Sequence, residues 1–169
     1  MNSVFRIAFC VLLAAGVSAC AKKAVKPAPA PEPAPVTQTA PTEPAGRYTR
    51  DSLDTDSCLR QRVIYFDLDQ SEIKPEFAAQ IACHAEYLHE FPDARVTLEG
   101  HADERGSREY NLGLGERRGN AVQSALVAAG ASRAQLNVVS YGEERPVCRQ
   151  HDESCWSKNR RVEVVYTTR

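Results

Sequence analysis

The stretch Glu99-Gly100-His101-Ala102-Asp103-Glu104-Arg105-Gly106 stands where a strand pattern hands over to a helix pattern. Ahead of it, Val96 and Leu98 alternate with Thr97 and Glu99, the period-two signature of a half-buried strand over residues 94–99. Beyond it, Ser107 is placed to cap a helix, and Glu109 falls in the first turn, where a negative charge complements exposed amides. Leu114, Ala121, Ala125 and Ala129 then share one helical face with Val122 and Leu126, and Gly130 stops the run. Together with Glu116-Arg117-Arg118, the junction gathers acids and arginines on a rim at a strand end. Asp103 and Arg118 supply the opposite charges that a ligand carrying both an ammonium and a carboxylate would need.

Working outward, Val63-Ile64-Tyr65-Phe66-Asp67-Leu68 reads as a first strand with Asp67 and Asp69 at its exit. Within it, Tyr65 is expected in the core and Phe66 at the rim. Pro75 suits the first turn of a helix on which Phe77, Ile81, Ala85 and Leu88 recur, and Pro92 closes that helix. Residues 137–141 and 161–166 give two more strands, with Val162, Val164 and Tyr166 on one side of the last. Gly113, Gly115 and Gly119 each lower helicity by up to ~1 kcal/mol relative to alanine, so tertiary packing must hold the third element in helical form. Strands alternating with helices predict an α+β or α/β layered domain with helices covering one side of the sheet.

With 21 basic and 22 acidic residues, the chain has no overall field that favours nucleic acid. Residues 1–19 carry Arg6, an apolar run too short to span a bilayer, and small residues before Cys20, which together read as a signal peptide. Val17-Ser18-Ala19-Cys20 resembles the lipobox of bacterial lipoproteins, which implies that Cys20 is acylated and inserts in membrane lipid. Ala21, where an aspartate would imply inner-membrane retention, implies the outer membrane. Residues 20–55 are expected to form a spacer, since seven of the ten prolines fall between Ala21 and Gly46. At ~3.1 Å per residue the Pro-rich part reaches roughly 80 Å. Residues 56–169 then suffice for one domain.

Cys10 leaves with the signal peptide and Cys20 is committed to lipid, so four cysteines remain for an oxidising compartment. They allow three pairings, of which Cys148 with Cys155 and Cys58 with Cys83 is preferred. The spacing of Cys148, His151 and Cys155 is too loose for a zinc knuckle, and no metal or other cofactor is expected.

Tyr65-Phe66-Asp67, the Glu99 to Gly106 stretch, Tyr110-Asn111, Leu114-Gly115-Glu116-Arg117-Arg118, Val139-Ser140-Tyr141-Gly142 and Lys158-Asn159-Arg160-Arg161 carry a resemblance. They resemble the peptidoglycan-associated lipoproteins of the OmpA C-terminal-domain-like family. The resemblance implies a β-α-β-α-β-(α)-β domain, a mixed four-stranded sheet with helices on one side. It further implies that the domain holds the diaminopimelate stem peptide of peptidoglycan without cleaving it. Asp103 and Arg118 match the binding residues, with Phe66, Asp67, Arg105 and Leu114 lining the same cleft and His101 as a supporting donor. Asn159 and Arg160 are expected at the cleft edge or on a partner surface. The resemblance also implies a partnership with TolB and the Tol system, which serves envelope integrity and cell division. An enzyme built on His101, Asp103, Glu104 and His151 is the competing reading, but three of the four lie too close in sequence to form a ligand set. The four domain cysteines depart from the general pattern of the family, and Cys148 to Cys155 brackets the loop at His151-Asp152-Glu153.

Overall fold

Four strands, β1 (Val63–Tyr65), β2 (Arg95–His101), β3 (Leu136–Gly142) and β4 (Arg161–Thr168), form one mixed sheet in the order β1-β4-β2-β3. This computed structural model describes residues 46–168. The expected signal peptide, acylated Cys20 and the Pro-rich part of the spacer lie outside the described residues. β4 runs antiparallel to both β1 and β2, while β3 pairs parallel with β2. That parallel pair requires a crossover, which α3 (Arg108–Ala128) provides while packing on β2 and β3. The other helices are α1 (Ser52–Thr55), α2 (Ala78–Glu90) and α4 (Glu153–Asn159), so the α+β architecture and mixed sheet agree with the expected topology. Among the described residues, no helix is long and apolar enough to cross a membrane.

One sheet face is the core. Ile64, Val96, Leu98, Val162 and Val164 are buried there beneath Ile81, Ala85 and Leu88 of α2 and Val122 and Leu126 of α3. Thr97, Glu99 and Glu163 alternate to the other face and stay half-buried. Ser107 caps α3, its side chain accepting a hydrogen bond from the Tyr110 amide at 3.2 Å. The glycines that cost α3 helicity have their reason here: a methyl on Gly119 would lie 2.6 Å from Val138, and one on Gly115 would lie 2.9 Å from the Gly100 carbonyl oxygen. Close approach of the helix backbone to β2 and β3 at these glycines sets the height of α3 over the sheet, and thereby where Arg118 lies.

Two expectations need correction. Tyr65 is 39% exposed and Phe66 only 1%, the reverse of the predicted sides, because Ile64 and Phe66 share the inward face under strict alternation. The packed fold also starts ahead of residue 56. Tyr48 and Leu53 are buried in the core, and the Arg47 and Tyr48 amides donate to the Glu90 carboxylate at 2.8 and 2.9 Å. An apolar Tyr48 and Leu53 at the end of a polar, Pro-rich run were hard to tell from the run itself. Of the three pairings open to the four cysteines, the protein has Cys58 with Cys83 and Cys148 with Cys155.

Candidate binding site

Arg118 decides the chemistry of the strand-end rim. It is fully buried, and its guanidinium is held by three backbone carbonyls: Nε donates to Gln70 at 2.8 Å, Nη1 to His101 at 2.9 Å and Nη2 to Asp67 at 2.9 Å. Phe66 lies beneath it, 5.3 Å from guanidinium carbon to ring centroid. Burial and the nearby Arg160 charge pull its pKa down to about 10, still well above neutrality. Three of five N–H groups bond to the protein, leaving one on each Nη for a ligand. The neighbouring Arg117 is exposed and lies over the Tyr110 ring instead.

A cavity of about 340 Å³ opens over this group, lined by Leu68, Asp69, Asp103, Arg105, Tyr110, Leu114, Arg118 and Arg160 among others. Asp103 is 4% exposed and does not touch Arg118 directly. One of its oxygens accepts from the Arg105 amide and Nε, both at 3.1 Å. The other accepts from Arg105 Nη2 at 2.7 Å and Arg160 Nη1 at 3.3 Å. Burial pushes this carboxyl up, but the hydrogen bonds from Arg105 and Arg160 outweigh it and hold the pKa below the usual value. Arg160 is itself 6% exposed and continues the network, donating to the Phe66 carbonyl at 3.0 Å and to Glu153 at 2.6 Å. Asp152 caps the short α4 that carries Glu153, and the Cys148 to Cys155 bridge closes the loop in front of it. Asn159 ties the same loop from inside, accepting from the Val147 and Cys148 amides and donating to the Cys148 carbonyl.

The structure brings Asp103, Arg118, Arg105 and Leu114 together but not Asp67 and Phe66. Asp67 directs its carboxylate outward to Lys74 at 2.8 Å and offers the cavity only its carbonyl, which Arg118 uses. Phe66 is the buried floor. The cavity positions belong to Leu68 and Asp69, two residues further on, which are both exposed. Asp69 has φ 60°, in the left-handed region that non-glycine residues seldom adopt, and accepts a hydrogen bond from the Tyr110 hydroxyl. A short apolar-acid pair after the strand was visible in the sequence, but its register was not. Tyr110 was part of the resemblance without a role assigned to it.

His101 is not a supporting donor. Its ring is 1% exposed and neither nitrogen has a hydrogen-bond partner among the described residues. Only its carbonyl serves the site. Burial first, then the Arg161 charge, lower the ring pKa to about 4, with Glu163 pulling the other way and Arg145 adding to the depression. The unfolded chain thus binds more protons than the fold between pH 4 and 6.5, so His101 contributes stability that is complete above pH 6.5 and lost as pH falls toward 4. Buried His84 shifts in the same direction. Unfolding free energy should fall by on the order of 3 kcal/mol between pH 7 and 4 on account of His101. His101→Phe should flatten that slope in urea titrations, and an unchanged slope would assign the dependence elsewhere.

The OmpA family model matches residues 65–160. A protein named peptidoglycan-associated lipoprotein from Pseudomonas aeruginosa is 53% identical over 114 residues, covering 67% of each chain. One of the same name from Legionella pneumophila is 44% identical over 131 residues, 78% of this chain and 71% of its own. Among solved structures, the peptidoglycan-associated lipoprotein from Burkholderia pseudomallei superposes with TM-score 0.67 at 42% identity, covering 68% of this chain and 98% of that one. The C-terminal domain of Helicobacter pylori MotB gives TM-score 0.58 at 22% identity over 63% of this chain and 84% of its own, a likeness of fold alone.

Proposed function

The chain belongs to the OmpA family, within its peptidoglycan-associated lipoproteins, and from that premise we propose that it binds the diaminopimelate stem peptide of peptidoglycan non-covalently. The observation that carries the reading is a buried, carbonyl-locked guanidinium facing a cavity whose rim holds two carboxylates. In this reading Arg118 grips the side-chain carboxylate of diaminopimelate through its remaining N–H groups. The ammonium sits between Asp69 and Asp103. Arg105 is 32% exposed against 7% for Arg160, so it is the cation that turns aside to release Asp103. Leu68 and Leu114 cover the methylene stem.

We read the site as one of binding without turnover. The histidine nearest to Asp103 in sequence is neutral and buried, and Asp103 itself is engaged by Arg105 and Arg160, so no free base stands in the cavity to move a proton. His151, the other histidine of the enzyme reading, is exposed and bonds Glu104 at 2.6 Å. We infer further that Cys20 is acylated, that the lipid sits in the outer membrane and that the spacer carries the domain to the cell wall. Contact with TolB and the Tol system on a surface overlapping the cavity would make wall binding and Tol binding exclusive. Sedimentation with purified sacculi tests the central claim: the full-length chain should co-sediment reversibly, and Arg118→Lys and Asp103→Asn, at a temperature where both are folded, should be retained far less. Equal retention of all three proteins would sink it.

A further inference from the structure

A second cavity of about 310 Å³ adjoins the first and shares Arg160 with it, lined by Tyr65, Phe66, Asp67, Lys74, Ser157, Lys158 and Arg160. The wall between the two is built from atoms already described: the Phe66 and Asp67 carbonyls, which accept from Arg160 and Arg118, and the Arg160 side chain itself. Its charges are unbalanced. Three cations face one carboxylate, Asp67, which Lys74 already neutralises at 2.8 Å, while Arg160 is spent on Asp103 and Glu153. Lys158, exposed in the last turn of α4, therefore has no carboxylate of its own within the cavity, and its charge otherwise reaches only Asp152 at the far end of that helix, while Ser157 and Tyr65 complete the lining. Arg160 lines both cavities, so a ligand that runs past it can reach from one into the other.

We propose that this cavity is a second anion subsite, which takes the carboxylate of the stem-peptide residue adjoining diaminopimelate. The inference rests on the reading of the first cavity given above. In the stem that neighbour is a glutamate joined through its side-chain carboxyl, so its α-carboxylate is left as a free anion beside the diaminopimelate. Amidation of that carboxylate removes the charge and keeps the shape. The subsite therefore reads the amidation state of the stem, through Lys158 and the Ser157 hydroxyl.

Calorimetric titration of the full-length chain with three probes tests this: free meso-diaminopimelate, the tripeptide L-Ala-γ-D-Glu-meso-diaminopimelate, and the same tripeptide with isoglutamine in place of glutamate. The acid tripeptide should bind about fivefold more tightly than its amide, the scale of an exposed charge pair, and the gap should narrow in high salt. Lys158→Gln should erase the difference without changing the affinity for free diaminopimelate, and Lys158→Arg should retain it. Equal affinity for acid and amide, with diaminopimelate still bound, would overturn the subsite and leave the first cavity standing. No binding of any probe would overturn both.

Discussion

Asp103→Ala should destabilise the domain by about 3–5 kcal/mol, the cost of stripping a buried charge pair of one partner. The group most affected is Arg160, whose side chain is 7% exposed and whose Nη1 donates to the lost carboxylate, leaving it Glu153 and the Phe66 carbonyl. Arg105 is the milder casualty, because its more exposed guanidinium can turn to water and it keeps Trp156 beneath it at 4.2 Å. Arg105→Ala takes two hydrogen bonds from the buried Asp103 carboxylate but leaves it the residue-105 amide and Arg160, and is expected to cost about 1–3 kcal/mol. The acid dependence has a definite sign. The folded pKa of Asp103 is depressed, so its contribution is present at neutral pH and is lost as pH falls below about 4 through that lower value. Urea unfolding of wild type, Asp103→Ala and Arg105→Ala at pH 7 measures the two losses, and repeating it down to pH 3 reads the acid dependence of Asp103, which Asp103→Ala should lack. Equal losses for the two variants would mean that Asp103 serves Arg105 alone, and that Arg160 finds its support in Glu153.

This network explains which parts of the site could be read in advance. Asp103 and Arg118 were legible because strand periodicity fixed the end of β2, just ahead of Asp103, and helix periodicity fixed the inward face of α3, on which Arg118 lies one turn past Leu114. Their relation was not legible. The sequence offered them as two opposite charges facing a ligand and did not show what holds them in place: Arg118 is held by three carbonyls and Asp103 by two arginines. Carbonyl partners carry no sequence signature, since every residue has one. Arg160 was expected only as an edge residue, yet it lies under the cavity because the loop between β3 and β4 folds back. The placement of Phe66 and Asp67 failed by two residues for a related reason. Alternation with Ile64 still turns Phe66 inward, its amide paired with the Arg160 carbonyl at 3.0 Å, but the chain then leaves the sheet and takes a left-handed turn at Asp69, so alternation does not say that Leu68 and Asp69 reach the cavity.

The second disulfide fits the same logic. Cys148 to Cys155 closes a loop with a sequence separation of 7, worth about 2.4 kcal/mol on loop-entropy grounds, and that loop holds no part of the central core. It holds α4, and α4 supplies Glu153, the acid that balances Arg160 from outside while Asp103 balances it from within. Covalent closure and the three hydrogen bonds of Asn159 thus fix a wall shared by both cavities. A short polar segment with little apolar surface to bury could not hold that wall by packing alone.

Arg118→Ala should remove measurable stem-peptide binding and cost the fold on the order of 2–3 kcal/mol, because three carbonyls lose their donor at once and the buried one, that of His101, has no water to replace it. Arg118→Lys separates the two effects. Lysine keeps the charge, but a single ammonium cannot reach the Gln70, His101 and Asp67 carbonyls together and also present a planar pair of donors to a carboxylate. It should retain part of the stability and still lose about 1.5–3 kcal/mol in affinity for diaminopimelate, the range of a hydrogen bond to a charged group. Calorimetry on both variants, at a temperature where denaturation curves show them folded, reads the affinity loss apart from the stability loss. Asp103→Asn completes the set: it should weaken diaminopimelate more than an analogue lacking the side-chain ammonium, since only the former needs the charge. If Arg118→Lys binds as wild type does, the guanidinium is a structural pin for the strand ends, and the ligand's carboxylate must be met by Arg105 or Arg160 instead.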